Sequence, residues 1–525
     1  MHGVELVLIS LLVAVSVLAA MSRAIGVPYP IVLVVGGLLM GFVPGLPDAT
    51  LDPELVLVIF LPPLLYSAAY FANLRDLKAD LRAISLLAIG LVIATAAAVA
   101  VAAHALIDGL PWAAAFALGA IVAPTDPVAV TAIARRMAVP RRSVNILEGE
   151  SLINDGTALV LYRVAVGAVG GSFSLAEAGL QFVLGAIGGI AIGLAVGWVI
   201  AEIRKRLDDP PVEVTISLLS GYAAYVPAER AGASGVLAAV AVGIYIGWRA
   251  PEISSARMRV AGYSMWEILQ FLLNALLFVL IGLQLPEIVA GLSGEPTGPV
   301  LVAAAVVSVV VIVTRLAWVH VTTWAIRALD RRASQRSRRA GWRQRTIIGW
   351  AGMRGSVSLA AALALPLDFP ARDELLFVTF TVILATLVLQ GLTLPGVIRW
   401  SGVTDDGAEA REELAARRRA TAAALKRLDE LAGEEWTRDD TVERMRGVYE
   451  YRARRLDARA GESEDADEFG DGYEHRSHRY QKMVREVLDA QRSAVVALRN
   501  EGTISNDVMH RIERELDLED ERLEI

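Results

Sequence analysis

Apolar blocks of about 20 residues recur along this chain, and an α-helix of that length crosses about 30 Å of hydrocarbon. Hydrophobic residues make up 55% of the 525 positions, and the mean hydropathy is +0.49. In a soluble protein of this size, apolar and polar positions would alternate on opposite faces of each element. The pattern therefore predicts an all-α integral membrane protein.

Thirteen blocks qualify as candidate membrane spans. They lie at residues 4–20, 28–44, 54–72, 83–106, 112–134, 144–168, 176–202, 212–228, 231–248, 262–285, 298–326, 345–366 and 373–398. With the N-terminus outside, 23 Lys and Arg residues fall in cytoplasmic loops and two, Arg230 and Arg372, in outer loops. Cytoplasmic loops carry such an excess of basic residues. We expect a multi-pass plasma-membrane protein with an outer N-terminus and a cytoplasmic C-terminus.

Thirteen spans also allow an internal symmetry. Spans 1–6 and 8–13 would form two six-helix halves joined by span 7, so that the halves enter the membrane from opposite sides. Span 5 is interrupted at Pro124-Thr-Asp-Pro127, and span 12, the fifth of its half, at Gly352-Met-Arg-Gly355. Interrupted helices at matching positions of inverted repeats are typical of the binding sites of secondary transporters.

Carboxylates occur inside these spans, where an ionisable side chain is costly and suggests a functional site. Pro127 cannot donate a backbone hydrogen bond, and Asp126 suits a helix N-cap, so we predict a helix end near Ala123 and a new helix from Pro127. Ser151 and Asp155 are four residues apart and share a helix face. A plain proline kink and a purely structural polar network are the alternative interpretations.

Oxygens from Ser151, Asp155, Asp126 and a span-5 carbonyl would suit a hard monovalent cation. Burial favours the neutral form of a carboxylate, so Asp155 could take up a proton when the cation leaves. A buried Arg354 needs an acid or the carbonyls of a broken helix end as its partner. We predict that Glu150 is this partner, with Asn154 nearby on the same face.

Four motifs, in order, carry a family resemblance. They are Pro124-Thr-Asp-Pro127, Glu148-Gly-Glu-Ser-Leu-Ile-Asn-Asp-Gly156, Phe271-Leu-Leu-Asn-Ala-Leu-Leu-Phe278 and Gly349-Trp-Ala-Gly-Met-Arg-Gly355. Residues 1–400 resemble the cation–proton antiporter-1 family, the bacterial sodium/proton antiporters related to animal sodium/proton exchangers.

The resemblance implies exchange of Na+ or Li+, in some members K+, for H+ at one site by alternating access. Asp155 would carry ion and proton in turn, and Asp126, Ser151 and the Thr125 backbone would complete the coordination. Glu150 and Arg354 would brace the helices, with Glu150 also able to hold a water. Asn154 implies an electroneutral cycle, because relatives with a second Asp there carry an extra proton. Family members are usually homodimers in which a core bundle slides against a dimerisation bundle.

Other function classes fit less well. A K+(Na+)/H+ antiporter of the same family remains open as an alternative. An intramembrane aspartyl enzyme could use Asp126 and Asp155, but the Tyr-Asp and Gly-x-Gly-Asp motifs of such enzymes are missing from the sequence. A cation channel would need a ring of pore-lining residues, which the sequence does not suggest. Cysteine is absent, which excludes thiolate metal sites, and we expect no cofactor.

The charge balance divides the chain into two predicted domains. Residues 1–400, the exchange domain, contain 28 Lys+Arg against 25 Asp+Glu, whereas residues 401–525 contain 22 against 32. We predict that residues 401–525 form an acidic helical cytoplasmic tail that regulates the protein or supports a dimer, with no partner identified. The run Arg327–Arg345 holds eight Arg. Beside a membrane it predicts contact with anionic lipid rather than with nucleic acid.

Overall fold

The computed structural model describes residues 2–43, 53–169, 175–292, 297–329, 341–405, 407–460 and 473–524. These residues form helices joined by turns, with no β-strand in the described ranges. The chain divides into two compact units, Met1–Asp405 and Asp406–Ile525. The all-α architecture predicted from the apolar blocks is confirmed.

Unit 1 contains sixteen described helices. They are α1 His2–Ile25, α2 Tyr29–Gly41, α3 Pro53–Phe71, α4 Leu74–Leu106, α5 Trp112–Val122, α6 Pro127–Arg136, α7 Arg141–Val169, α8 Leu175–Arg204, α9 Pro210–Arg230, α10 Gly235–Ile253, α11 Ala256–Leu283, α12 Leu285–Gly291, α13 Thr297–Leu329, α14 Trp342–Trp350, α15 Ser356–Leu363 and α16 Arg372–Ser401. Each predicted span overlaps one or two of these helices.

Eight helical segments among the described residues are long and apolar enough to cross a membrane, and three shorter apolar helices accompany them. Two predicted spans fall outside these groups for physical reasons. Helix α9 carries a charged residue, Glu213, in its first turn, and span 12 is divided into the short helices α14 and α15. The count of thirteen crossings therefore stays a prediction.

Spans 5 and 12 are interrupted where the sequence predicts. Helix α5 ends at Val122, and α6 begins at Pro127 with Asp126 as its N-cap. Helix α14 ends at Trp350 and α15 begins at Ser356. Proline and glycine at these points leave backbone groups without helical partners, which makes both breaks available for binding.

Two of the long helices contain a π-helical turn, at Leu86–Leu91 in α4 and at Thr386–Gln390 in α16. Trp318 of α13 donates its indole N–H to the Leu86 carbonyl at 3.0 Å. The Thr386 hydroxyl accepts the backbone N–H of Arg354 at 3.1 Å. Each widened turn thus binds a neighbouring element, and π-turns of this kind are frequent near functional sites.

Apolar side chains form two principal cores in unit 1. The larger core joins α4–α7 to α13–α16 and extends to α1, α2 and α11. The smaller core joins α3 to α8–α10. A third cluster lies between them, where Leu152 of α7 packs against α3, α9 and α10.

A buried ion pair explains how α9 tolerates an acid. Glu213 and Arg204 are both 0% exposed, with Arg204 Nη2 at 3.4 Å from Glu213 Oε2 and at 2.9 Å from Ser254 Oγ. From the sequence, Arg204 is one of the 23 basic residues expected in cytoplasmic loops. In the structure it instead joins the ends of α8, α9 and α10.

Unit 2 consists of four described helices, α17 Ala408–Leu431, α18 Asp439–Ala460, α19 Tyr473–Asn500 and α20 Asn506–Glu524. Ion pairs link α19 to α20, since Arg492 contacts both Asp517 and Asp520. The tail is therefore helical, as predicted. Most of the predicted lipid-contact run, residues 330–340, lies outside the described residues.

Candidate ion-binding site

The two broken helices meet through their backbones. The Asp126 N–H donates to the Met353 carbonyl at 2.8 Å, so the extended segment of span 5 pairs with that of span 12. The Asp126 carboxylate accepts the Val128 N–H at 2.9 Å and caps α6. Backbone groups freed by the helix breaks are satisfied in this way, and Asp126 is held at the crossing.

Gly355 makes room for the Asp126 carboxylate. A Cβ atom built on Gly355 would overlap Asp126 Oδ2, and it would also lie 2.6 Å from Asp126 Cβ. Any larger residue at this position would displace the carboxylate. The glycine predicted to interrupt span 12 therefore also determines how closely α15 approaches the site.

A cavity of about 730 Å³ brings the predicted coordinating residues together. Thr125, Asp126, Ser151 and Asp155 all line it, and Pro124, Pro127 and Gly355 contribute to its wall. Asp155 is only 7% exposed, and the Asp126 carboxylate lies near enough to interact with it electrostatically. Among the described residues, neither acid forms an ion pair with a protein cation. Two neighbouring carboxylates in one cavity, of which Asp155 is buried and Asp126 partly buried, favour binding of a cation or a proton.

Behind the cavity, a hydrogen-bonded layer holds Thr125. Its hydroxyl donates to Glu150 Oε1 at 3.0 Å. Asn154 Nδ2 donates to the Thr125 hydroxyl at 3.1 Å and to its carbonyl at 3.3 Å. Glu150 and Asn154 do not line the cavity, so the pair on the neighbouring face of α7 positions the span-5 crossing.

The predicted pairing of Glu150 with Arg354 is wrong. Arg315 of α13 is the partner of Glu150, with Nη1 at 2.5 Å from Oε1 and Nη2 at 2.8 Å from Oε2. Glu150 and Arg315 are 1% and 0% exposed. This two-point geometry is typical of strong arginine–carboxylate pairs, and it leaves Glu150 electrically neutralised.

Arg354 instead binds the carbonyls of the broken helices. Its Nε donates to the Val122 carbonyl at 3.0 Å, at the end of α5, and Nη1 donates to the Gly352 carbonyl. Carboxyl ends of helices carry partial negative charge and stabilise cations. The sequence allows two kinds of partner for Arg354, an acid or the carbonyls of a broken helix end, and the carbonyls are the partners observed. Arg354 therefore braces the crossing.

Arg315 is the principal residue that sequence reasoning left without a role. It lies alone in the apolar run of α13, between Val313 and Trp318. A single arginine in such a run signals a functional or structural partner at membrane depth. The sequence does not reveal which acid it contacts, because α7 and α13 are far apart along the chain.

The cavity extends from Asp155 to the C-terminal end of α6, where Arg135 lines it. Arg135 and Glu148 form an exposed ion pair there, with Arg135 Nη2 at 3.3 Å from Glu148 Oε1. The polar face Glu267, Gln270 and Asn274 of α11 lines the same cavity. The sequence analysis did not assign Glu267, although a charged residue within an apolar helix is a detectable signal.

A cavity lined by two carboxylates, placed where two interrupted helices cross in an apolar bundle, is the arrangement of a secondary transporter. Residues 8–400 match the family model described as the transmembrane sodium/hydrogen exchanger. The chain belongs to the sodium/hydrogen exchanger family, as the four motifs indicate.

Named relatives agree with this assignment. A Mycobacterium tuberculosis protein described as an uncharacterized Na+/H+ exchanger is 38% identical over 98% of this chain and 96% of its own length. The Na+/H+ antiporter ApNhaP of Aphanothece halophytica is 34% identical over 81% of this chain and 80% of its own. A Bacillus subtilis sodium, potassium, lithium and rubidium/H+ antiporter is 33% identical over 74% of this chain and 61% of its own.

Among solved structures, the fold is similar to that of the sodium proton antiporter MjNhaP1 from Methanocaldococcus jannaschii. The TM-score is 0.59 at 19% sequence identity, covering 76% of this chain and 98% of the other. The likeness supports the fold of unit 1, and the roles of individual residues in this chain rest on their own geometry.

Proposed function

We propose that this chain is an electroneutral Na+/H+ antiporter that also accepts Li+ and uses the proton gradient to export Na+. The observation that carries the proposal is that Asp126 and Asp155 line one cavity and that neither forms an ion pair with a protein cation within the part of the chain that the structure describes. A cation or a proton has to provide the missing positive charge. Because both would use the same oxygens, each excludes the other.

The exchange cycle follows from this competition. Na+ would bind to oxygens of Asp155, Asp126 and Ser151, with Thr125 beside them. When the cation leaves, a proton on Asp155 removes a charge that is costly in a poorly hydrated site. Only an occupied or protonated site would then change its accessibility to the other face of the membrane. Glu150 and Arg315 form an ion pair and Arg354 binds backbone carbonyls, so we assign these three residues to holding the crossing in place.

A one-for-one cycle rests on Asn154. Its side-chain amide donates to Thr125, and an amide neither carries charge nor releases a proton. With Asp155 as the single carboxylate that takes up a proton, one proton returns for each monovalent cation. A steady Na+-induced current in proteoliposomes at equal pH on both sides would contradict this part of the proposal.

The proposal names Na+ rather than K+ as the exported cation. Several relatives are named Na+/H+ antiporters, and the Bacillus subtilis relative is named for four alkali cations. A K+(Na+)/H+ antiporter is thus the alternative. We propose a homodimer in the plasma membrane with its N-terminus outside and its tail in the cytoplasm, and this orientation rests on the distribution of basic residues in the loops.

Proton exchange in everted vesicles tests the function directly. A proton gradient is formed, Na+, Li+ or K+ is added, and the loss of the gradient is followed by a fluorescent probe. The unsubstituted chain is expected to dissipate the gradient with Na+ and Li+. Asp155→Asn is expected to abolish this response, and Glu252→Gln, at an exposed ion pair with Arg249, is the matched control. Retained Na+ response in Asp155→Asn would sink the site assignment.

A further inference from the structure

The cavity reaches Asp155, and no described residue of α7 beyond Asp155 lines it. On α7 it is lined by Glu148, Ser151, Leu152 and Asp155, which lie between the mouth and the middle of the helix. Arg163 is two turns further along α7, towards the opposite end of the bundle, which we call the far end. The packing of the α7 residues that lie between Asp155 and Arg163 therefore determines whether the site is reachable from the far end.

Apolar packing fills this interval. A Cβ atom at Gly156 would lie 3.1 Å from Leu237 and 3.5 Å from Val236, both on α10. One turn further, Leu159 packs against the third apolar cluster, to which Tyr225 of α9 also belongs. Helix α7 of the larger core is thus pressed directly against α9 and α10 of the smaller core.

An ion pair lies beyond the apolar contact. Arg163 Nη2 is 2.6 Å from Glu229 Oε2, and the two side chains are 50% and 27% exposed. Arg163 belongs to α7 and Glu229 to the last turn of α9. The pair therefore joins the two cores at the far end, while the cavity separates them at the mouth.

The two members of the pair are held differently. Glu229 Oε1 accepts the Gly235 N–H at 2.9 Å, at the N-terminus of α10, where a carboxylate is stabilised by the helix dipole. A Cβ atom at Gly235 would come within 2.8 Å of Glu229, so glycine permits this close approach. Glu229 is consequently fixed within the smaller core, and Arg163 is the member that can detach.

We propose that the Arg163–Glu229 ion pair is a latch that holds the far end closed while the cavity is open at its mouth. The proposal rests on the proposed function, since alternating access requires one end to close when the other opens. Opening the far end would move α7 away from α9 and α10 and separate Arg163 from Glu229. The latch sets the proportion of molecules open at each end and does not bind cargo.

Thiol labelling can measure this proportion, because the chain contains no cysteine. Leu159→Cys reports on the far end and Ala68→Cys, in the wall of the cavity, on the mouth side. Each is introduced singly into the full-length chain in lipid nanodiscs, where both ends are accessible, and is reacted with a cationic methanethiosulfonate reagent. Glu229→Gln is then added, because the amide oxygen can still accept the Gly235 N–H while the charge is lost.

The latch predicts opposite changes at the two reporters. In Glu229→Gln, Leu159→Cys should react about fivefold faster, as expected for loss of a partly exposed ion pair, and Ala68→Cys should react more slowly. Arg163→Gln should reproduce both changes, and the double substitution should add little to either single one. Lys205→Gln, which removes an ion pair with the nearby Glu202, should change neither rate.

Two results would overturn the latch. Unchanged rates at both reporters would show that the ion pair has no part in access, and faster labelling at both would show general loosening. Failure of the unsubstituted protein to exchange Na+ for H+ would refute the proposed function instead, and it would leave the labelling result unaffected.

Discussion

At the scale of residues, charge compensation separates the carboxylates that we propose to exchange ions from the groups that hold the crossing. Glu150 is as buried as Asp155, yet Arg315 neutralises it through two hydrogen bonds. Asp155 has no such partner among the described residues. Burial alone therefore does not identify a transport carboxylate, and the position of the nearest cation does.

Gly355→Ala tests how closely the site is assembled. The added methyl group would occupy the volume of the Asp126 carboxylate, and small displacements of a reacting group cost large factors in rate. We expect at least about a tenfold loss of Na+-dependent proton exchange at unchanged protein level. Gly396→Ala in α16 is the control, because a Cβ there meets no atom within 4 Å. Equal activity of the two variants would contradict the steric argument.

Arg315→Met tests the buried ion pair. Removing one partner leaves Glu150 uncompensated, which costs about 3–5 kcal/mol for a buried pair. We expect a strongly lowered midpoint of thermal unfolding in detergent. Replacement of both Glu150 and Arg315 by Met should be less damaging than Arg315→Met alone. Arg399→Met, at an exposed position, should stay within about 0.5 kcal/mol of the unsubstituted protein, and a similar loss in this control would rule out a special role for Arg315.

At the scale of elements, local chemistry predicts helix breaks but does not predict helix partners. The break of span 5 follows from Pro127 and the capping carboxylate of Asp126, which act within a few residues. The π-turn at Leu86–Leu91 has no comparable local signal, since its freed carbonyl is satisfied by Trp318 from a distant helix. The pairing of Glu150 with Arg315 was missed for the same reason, because it depends on which helices lie side by side.

The hairpin of α19 and α20 has a predictable acid response. Hydrogen bonds from Arg492 and Arg485 hold the pKa of the Asp520 carboxyl below its usual range. Because the pKa of Asp520 is lower in the folded protein than in the unfolded chain, the ionised carboxylate stabilises the fold. This stabilisation is fully present above the unfolded pKa of about 3.9 and is lost as the pH falls through the folded pKa.

We therefore expect the hairpin to become less stable in acid, which faster hydrogen exchange of residues 506–520 would report. Arg492→Gln should remove part of this pH dependence by raising the Asp520 pKa towards its unfolded value. Arg511→Gln, outside these ion pairs, is the control. An identical acid response in Arg492→Gln and the unsubstituted chain would contradict the assignment.

At the scale of the whole molecule, the two units divide the chemistry unequally. All the proposed site residues and the two principal apolar cores belong to the unit Met1–Asp405. The all-α apolar architecture was predictable from span length, and acids in apolar runs identified Asp126 and Asp155, which line one cavity. The role of the tail was not, since charged solvent-facing helices have many equivalent uses.

Truncation after residue 405 tests this division. We expect the shortened chain to fold and to retain Na+-dependent proton exchange, because no proposed site residue is removed. Changes in the dependence of the rate on pH or ion concentration would then measure what the tail contributes. Loss of exchange by a well-folded truncated protein would show that unit 2 takes part in transport itself.

The contact between Asp126 and Gly355 has an evolutionary consequence. The two residues lie in different halves of the chain, yet they share one small volume. Selection cannot alter either independently, so lineages that enlarge residue 355 should also shorten or discharge residue 126. Comparing residues 126 and 355 in distant relatives would separate those with a carboxylate at the crossing from those without one. This comparison needs no transport measurement.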